Sequence, residues 1–594
     1  GWDIRKAGLG LIRNLPGKKQ PVNLIEDCAV APVDLPAYVA DIQALLAKNN
    51  IQAAYYAHAG AGELHIEPFI NLKSLEGIKL FRSILAETVE ILKKYKGSLS
   101  GEHGDGRLRG EFIPALMGKE VVGLFKEIKH VFDPQNLFNP GKITDSPPMD
   151  TAFRFTNKKA NEPSYFFDYG VWKNPLGLAE KCSGSGDCKK TALSGGSMCP
   201  SYMATRSERD TTRARANVLR QYLTNESTNV IDQEEVKEIM DLCLSCKACK
   251  SECPSSVDVA KLKGEFMQSY YDEKGVPFRT QLIGHFSSQM KMASQFSGIY
   301  NWMIDTPVIR KTMNRLVGFH PNRSLPKVAG KTLREWHRTR ISNPSGKQAD
   351  NKVYLFCDEF SNYNDVEIGK QCILLMERLG YAVCMIDHPD SARTYLSKGL
   401  IREAKKMANE QVEIFSSIIN ASTPLVGIEP SAILGFRDEY LDLVDPALLE
   451  KSKELSQHVF LFEEWFMREA DKGKISTSSF TAASKKIKIH GHCHQKSQAS
   501  MTPVKRALSF PEHYEARLIP SGCCGMAGSF GYEHEHYDIS IQVGELVLFK
   551  TVRSLDEETE IAASGTSCRH QIKDGTGRRA LHSIEVLFNA LKED

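Results

Sequence analysis

Between residues 243 and 254 the chain reads Cys243-Leu-Ser-Cys246-Lys-Ala-Cys249-Lys-Ser-Glu-Cys253-Pro254. No other feature constrains the fold as much. A C-x2-C-x2-C spacing wraps three thiolates around one face of an iron–sulfur cube, and the Cys-Pro that follows serves a neighbouring cluster. A zinc knuckle or free thiols are the plainer alternatives. The chain holds fifteen cysteines in 594 residues, an odd number and mostly clustered. Scattered even pairs in a short chain suggest disulfides; close clusters in a large one suggest metal ligation in a reducing, cytosolic setting.

A second group lies upstream, Cys182, Cys188 and Cys199-Pro200. A crossed arrangement gives one cluster Cys243, Cys246, Cys249 and Cys199, and the other Cys182, Cys188 and Cys253. The second cluster meets Ser185 where a thiolate is expected. Two readings stay open for it: [3Fe–4S], as in the iron–sulfur subunit of succinate dehydrogenase, whose matching run also lacks that cysteine, or [4Fe–4S] with a non-cysteine ligand. The insertion Lys189 to Met198 is longer than the usual spacing.

The length allows three or four domains. Net charge is +3 over the whole chain, so there is no nucleic-acid footprint. No apolar run reaches the ~18 residues of a membrane-spanning helix. The chain opens inside what reads as a domain, so an N-terminal portion is expected upstream of Gly1. Residues 1–145 alternate strands (Ala53 to His58, Leu64 to Phe69) with helices (Leu75 to Tyr95, Gly118 to Val131), the first helix carrying Ile78, Phe81, Leu85, Val89 and Leu92 at helical spacing. Residues 146–175 read as a linker, 176–275 as the cysteine module, and 276–350 as a basic helical stretch with Phe278, Phe286, Trp302 and Met303, either core or a surface for a membrane or partner. Residues 351–594 read as two α/β halves opening on strands Val353 to Cys357 and Lys486 to His490.

The C-terminal half ends in His490-Gly-His492-Cys493-His494, Ser521-Gly-Cys523-Cys524-Gly525 and Gly565-Thr-Ser-Cys568. Adjacent thiols on a glycine-flanked turn suit a metal or cluster. These residues resemble the CCG cysteine-rich domain of heterodisulfide-reductase-like and glycolate-oxidase iron–sulfur subunits. The resemblance is degenerate in the first half, where Cys357 is present but Glu429-Pro-Ser-Ala432 has alanine at a frequent cysteine position. One centre is therefore expected, with Cys493, Cys523, Cys524 and Cys568 as ligands. Reduced cysteines without metal are the alternative.

Near the N-terminus, Tyr56-Ala-His58-Ala-Gly60-Ala-Gly62-Glu-Leu-His65 sets a histidine on each limb of a strand–turn–strand. A separation of seven would point them to opposite faces of a straight strand; the turn folds them together. With Gly101-Glu102-His103-Gly104-Asp105-Gly106-Arg107 they offer two histidines and a carboxylate for a divalent metal, and His103 as a general base, against a reading as satisfied structural histidines.

Trp2-Asp-Ile-Arg5, Glu26-Asp27, His58 to His65, Gly101 to Arg107 and Asn139-Pro-Gly-Lys142 together resemble the C-terminal half of FAD-linked oxidases of the vanillyl-alcohol-oxidase type, which include D-lactate, D-2-hydroxyglutarate and glycolate dehydrogenases. The resemblance implies His58, His65 and Glu102 as ligands of a divalent metal (Zn or Mn/Fe), His103 as the base, Arg5 as a carboxylate clamp, and Asn139 and Lys142 along the flavin. The turn departs from the family's Gly-Asp-Gly-Asn, with Glu63 adding charge, and the family's FAD-binding half is expected upstream of residue 1, missing from residues 1–594.

The expected fold is α/β and α+β multidomain: a ferredoxin-like α+β oxidase half, an α-helical two-cluster ferredoxin module and an α/β CCG domain. The expected function is FAD-dependent oxidation of a D-2-hydroxy acid, D-lactate or D-2-hydroxyglutarate, with electrons leaving singly through one [4Fe–4S] cluster, the Ser185 cluster and a third centre to a quinone, a cytochrome or another carrier. The setting is cytoplasmic, with room for peripheral contact at the inner membrane face and for a homo-oligomer. An electron-transfer module without substrate chemistry is the alternative. A metal-dependent hydrolase would leave the cysteines unexplained.

Overall fold

The computed structural model describes residues 8, 11–12, 14–15, 17–151, 153, 165–224, 231–341 and 351–592. Arg5 lies outside them. The chain divides into two compact units, Gly1–Asn161 and Glu162–Asp594.

In the first unit, strand Glu63–Ile70 pairs antiparallel with Ala53–His58 on one side and with Gln20–Pro21 and Ile25–Ala29 on the other. Ala29 and Ser98 exchange both backbone hydrogen bonds on the far side of Ile25–Ala29, the trace of a fourth strand. With helix Leu35–Lys48 after the first strand and Leu75–Lys94 after the third, this is the split β-α-β-β-α-β order of a ferredoxin-like sheet. Ser74 caps the second helix by accepting from Gly77 N at 3.1 Å. The helix turns Phe81, Ile84, Leu85, Val89 and Leu92 into a core with Tyr38, Ile42, Leu64 and Ile66. Each such side chain contributes about 1.5–3 kcal/mol on burial. Strand alternation sends Leu64 and Ile66 to that core and Glu63, His65 and Glu67 to the other face. That face is polar, yet all three are buried.

The second unit begins with short helices around the cysteines, among them Pro200–Thr205, Thr212–Thr224, Gln233–Asp241, Ala248–Ser251 and Val259–Lys274. Four more follow: Phe278–Gly284, Phe286–Gln295, Ser297–Asp305 and Pro307–Leu316. Next come two parallel sheets. The first has four strands, in the order Tyr381–Cys384, Asn351–Phe356, Leu425–Gly427, Val459–Leu461; the second has three, Tyr514–Leu518, Lys485–Ile489, Glu560–Ala562. The anticipated strands end one residue early, which leaves Cys357 and His490 just beyond the carboxyl ends of their strands. Ligand sites of open parallel sheets lie at those ends. One apolar core runs from the cysteine module into the first sheet, joining Leu219, Leu262, Phe266, Ile401, Phe415, Phe436 and Val543. The stretch after Leu316 is tied to the last helices by fully buried Arg323, which donates to Gly531 O, Gln571 Oε1 and Ser540 Oγ. Among the described residues no helix is long and apolar enough to cross a membrane.

Candidate functional site

Three groups of chemistry-bearing side chains stand out. The first lies on the polar sheet face of unit one. The hairpin register sets Tyr56 opposite His65 and His58 opposite Glu63. Cross-strand partners share a face, so a 3-10 turn at Ala59–Ala61 brings the two histidines together. Gly62 closes that turn with φ +74, and a Cβ there would lie 1.9 Å from Val30 O. Glu102 Oε1 stands 3.5 Å from His58 Nε2, 3.8 Å from His65 Nε2 and 3.2 Å from His103 Nε2. Zinc held by nitrogen and oxygen at about 2.1 Å has tetrahedral edges of about 3.4 Å, so these spacings fit a divalent cation. The His58, His65 and Glu102 ligand atoms all lie within 4.8 Å of one another.

Asp27 positions this loop. It is fully buried, has φ 73, and accepts from the N–H of Gly101 (2.9 Å), Glu102 (2.6 Å) and His103 (3.0 Å) and from Ser100 Oγ. Burial would raise its carboxyl, but the bonds from Ser100, Glu102, Glu63 and His103 hold it well below the usual range. Arg109 clamps it from behind at 3.2 Å and donates to Leu99 O and Gly104 O. Glu63 shifts the other way: burial, the hydrogen bond to Asp27 and the charges of Glu102 and Asp27 push its carboxyl up. Its Oε1 is buried without a hydrogen-bond partner, 3.6 Å from His65 Nε2. Such an orphaned carboxylate oxygen is what a cation would satisfy. Glu26 adds a carboxylate 3.8 Å from His103 Nδ1. Spacing gave no hint of Asp27 or Arg109; only the Glu26-Asp27 pair in the family pattern pointed there. Asn139 and Lys142 lie at the surface, hydrogen-bonded to each other at 2.9 Å, beside the largely exposed Leu137 and Phe138.

The second group is the cysteine module. Cys199 opens helix Pro200–Thr205 and stands in the electrostatic neighbourhood of Cys246 and Cys249, while Cys182 is the thiol neighbour of Cys253; Cys199, Cys182 and Cys253 all stand beside Cys188. Burial, then neighbouring thiolates and carboxylates, push the Cys246 and Cys249 thiols up, a cost that iron would remove by taking thiolates. Glu252, inside the Cys249–Cys253 gap, accepts from Ser197 N (2.7 Å) and Met198 N (3.1 Å) and so anchors the end of the long insertion. Ser185 is exposed. Sequence reading missed Arg215. It is fully buried and donates to Cys199 Sγ (3.4 Å), Asp210 O, Ser201 Oγ and Ile239 O. Among the described residues it forms no ion pair with a carboxylate within 4.0 Å.

The third group gathers at the carboxyl ends of the second sheet. Cys493 begins helix Cys493–Gln498, Cys568 lies in the first turn of Thr566–Thr576, and Cys523-Cys524 occupy the loop after Leu518. Gly525 turns that loop with φ +94, where a Cβ would meet Ser540 O at 2.2 Å. The thiols form a chain from Cys493 through Cys523 and Cys524 to Cys568. Cys493 is lowered to about 6, chiefly by the hydrogen bond with Cys523, and Cys524 is lowered by Cys523 and Cys568; Cys523 and Cys568 are raised by the same bonds. His490 joins them: its Nδ1 pairs with Ser521 Oγ at 2.7 Å, while the ring also bonds the Cys524 thiol and groups with Cys524 and Cys568. Lys496 donates to Ser521 O and Gly522 O beside all four thiols. Four thiols, an imidazole and a nearby ammonium suit an anionic cluster. In the first half the equivalent strand ends carry buried carboxylates: burial pushes Asp358 to about 7 and Glu359 to about 8.

The second and third groups touch. His494 Nε2 pairs with Ser245 O at 3.1 Å, and the charge of Cys493 is among the causes that raise Cys246.

Residues 1–143 match the family described as FAD linked oxidases, C-terminal domain, and residues 181–258 match the 4Fe-4S dicluster domain. The chain therefore joins an FAD-linked oxidase C-terminal domain to an iron–sulfur module. Among curated proteins it is similar to the D-2-hydroxyglutarate dehydrogenase of Escherichia coli, 26% identical over 100% of this chain and 61% of that protein. The protein of the same name from Pseudomonas putida is 27% identical over 99% of this chain and 60% of its own length. The D-2-hydroxyglutarate dehydrogenase of Haemophilus influenzae is 26% identical over 100% of this chain and 61% of its own. The chain thus spans about three-fifths of the length of the dehydrogenases it matches.

Proposed function

We propose that this protein is an FAD-dependent D-2-hydroxy acid dehydrogenase, acting on D-2-hydroxyglutarate or D-lactate, that sends electrons through iron–sulfur centres to an external acceptor. The observation that carries this reading is Glu102, on the loop after Ser100, ringed by His58, His65 and His103 beside the buried Glu63 and His65 of the sheet. His58, His65 and Glu102 would hold a divalent cation, zinc, manganese or iron, against the substrate's hydroxyl and carboxylate, with Glu63 as an added acidic neighbour. His103, whose Nε2 is 3.2 Å from Glu102, would take the hydroxyl proton. Asp27 and Arg109 hold the loop that carries both groups. Bound FAD supplies two-electron acceptance from the substrate carbon, and iron–sulfur centres supply one-electron transfer. Asn139 and Lys142, with Leu137 and Phe138, offer the mixed polar and apolar strip that a flavin edge would cover.

In this reading residues 1–145 form the substrate domain, 176–275 the cluster module and 351–594 the cysteine-rich domain, with 146–175 and 276–350 connecting them. Cys199, Cys243, Cys246 and Cys249 hold a [4Fe–4S] cluster. Cys182, Cys188 and Cys253 hold the second, for which the solvent-facing Ser185 favours a missing or non-cysteine fourth ligand. Cys493, Cys523, Cys524 and Cys568 hold a third centre. Rapid mixing of the full-length protein with D-2-hydroxyglutarate or D-lactate tests the reading. Flavin bleaching followed by cluster reduction is expected; a full-length protein without flavin, or flavin that stays oxidised with both acids, would overturn it.

A further inference from the structure

A cleft of about 690 Å³ opens in the second unit between the helices after residue 277 and the cysteine centres. Its inner end is lined by Ser245, from the Cys243–Cys253 run, and by Cys493, from the third group. Cys523, Cys524 and Cys568 do not line it, so the cleft lies beside the four-thiol centre and is not its seat. An occupant would sit within contact of both redox modules, at the point where His494 joins them.

The walls define the occupant. Phe286, Met290, Phe296, Tyr300, Met303 and Met313 line the passage, a set of aromatic and thioether side chains that adapts to a flat or flexible apolar guest. Polar groups gather near Cys493: Glu429 stands 3.8 Å from His492 Nε2 and accepts from Thr566 N, and Arg393 lies 3.4 Å from His494 Nδ1. A largely apolar cavity of this size with a few converging polar groups is the usual form of a small-molecule site. The rim stays apolar, with Met292 64%, Phe296 61% and Ile299 61% exposed, so a long apolar tail can extend through it.

We infer that this cleft is the exit site of the electron chain and binds a lipophilic two-electron acceptor of the quinone class, with its carbonyl oxygens at the Arg393–His492 end and its tail along the methionines. Oxidation of the hydroxy acid breaks one C–H and one O–H bond and releases two electrons and two protons. A centre held by Cys493, Cys523, Cys524 and Cys568 would supply one-electron transfer beside the cleft; the quinone would take up the two electrons and two protons from solvent, forming two O–H bonds. The source of electrons rests on the dehydrogenase reading; the site itself can be tested without it.

The full-length, cluster-loaded protein is reduced with dithionite, freed of excess reductant and mixed anaerobically with decylubiquinone while the visible absorbance of the clusters is followed. Reoxidation is expected, slowed about tenfold or more by Ala293→Trp, which fills the passage. Paired Met292→Glu and Phe296→Glu at the exposed rim should slow it likewise without touching the core. Ferricyanide, a hydrophilic oxidant with no use for the cleft, reports whether the clusters of each variant are intact. Equal quinone rates in parent and variants would overturn the inference. So would a parent whose clusters ferricyanide reoxidises and quinone does not. Failure of the dehydrogenase reading shows instead as no reduction by the hydroxy acids, a step that dithionite bypasses.

Discussion

Arg215 brings a full positive charge into the centre of the cysteine module, and its charged neighbours there are the sulfurs of Cys199 and Cys243 and the carboxylate of Asp210. Burying a guanidinium costs several kcal/mol, and with no carboxylate within 4.0 Å among the described residues, thiolates at Cys199 and Cys243 would supply counter-charge beside the more distant Asp210. Such a cation stabilises the more negative, reduced cluster. Arg215→Gln should therefore lower the midpoint potential of the cluster served by Cys199 by about 60 mV or more, equivalent to about 1.4 kcal/mol for one electron. Arg215→Lys should restore part of it. A redox titration followed by electron paramagnetic resonance reads this directly; an unchanged potential in the glutamine variant would count against the role. Cys199→Ala should abolish that same signal, and its survival would break the crossed assignment. In the first unit, Glu63→Gln keeps a hydrogen-bonding group beside Asp27 but removes an acidic neighbour of the proposed metal site. Binding of zinc or manganese should weaken about tenfold or more, measured by calorimetry, with little change in the stability of the metal-free protein.

At the scale of elements, the strand ends of the first sheet have a pH signature. Asp358 and Glu359 are raised by burial to about 7 and about 8. A raised carboxyl favours the folded state below its unfolded value near ~4 and loses that contribution as pH climbs through the folded value. The second unit should lose a few kcal/mol between about pH 5 and pH 8, and Glu359→Gln should flatten the curve in chemical denaturation. A variant with the parent's slope would refute this origin. Much of the element pattern was legible. Apolar spacing marked Leu75–Lys94, alternation marked both limbs of the histidine hairpin, and cysteine spacing marked the module. What escaped was whatever depends on distant partners. Asp27 is one acid in a short strand until the loop at residues 100–103 hydrogen-bonds to it. Arg215 and Arg323 read as ordinary helical and loop cations because their partners lie elsewhere in the chain. Nothing local told His490 from its neighbours His492 and His494.

On the scale of the whole molecule, each compact unit has its own core, one built on the antiparallel sheet and the other shared by the cysteine module and the first parallel sheet. The expected consequence is two unfolding transitions in calorimetry. Removing divalent metal with a mild chelator should lower the first unit's transition. Loss of iron should lower the second's, and because Leu262 and Phe436 share one core, the cysteine module should not melt as a separate step. A single transition, or a third assigned to the module alone, would contradict this.

The grouping of Cys199 with Cys246 and Cys249, and of Cys253 with Cys182, also bears on how the protein matures. A nascent chain that has emerged only as far as Cys199 carries just three of the module's thiols, too few to complete a cube. On the proposed crossed assignment, synthesis would have to pass Cys253 before either cluster could close, and pass Cys568 before the proposed third centre could. Iron delivered early would then find incomplete sites, which would place cofactor loading after translation, on a chain already folded enough to bring those ligands together.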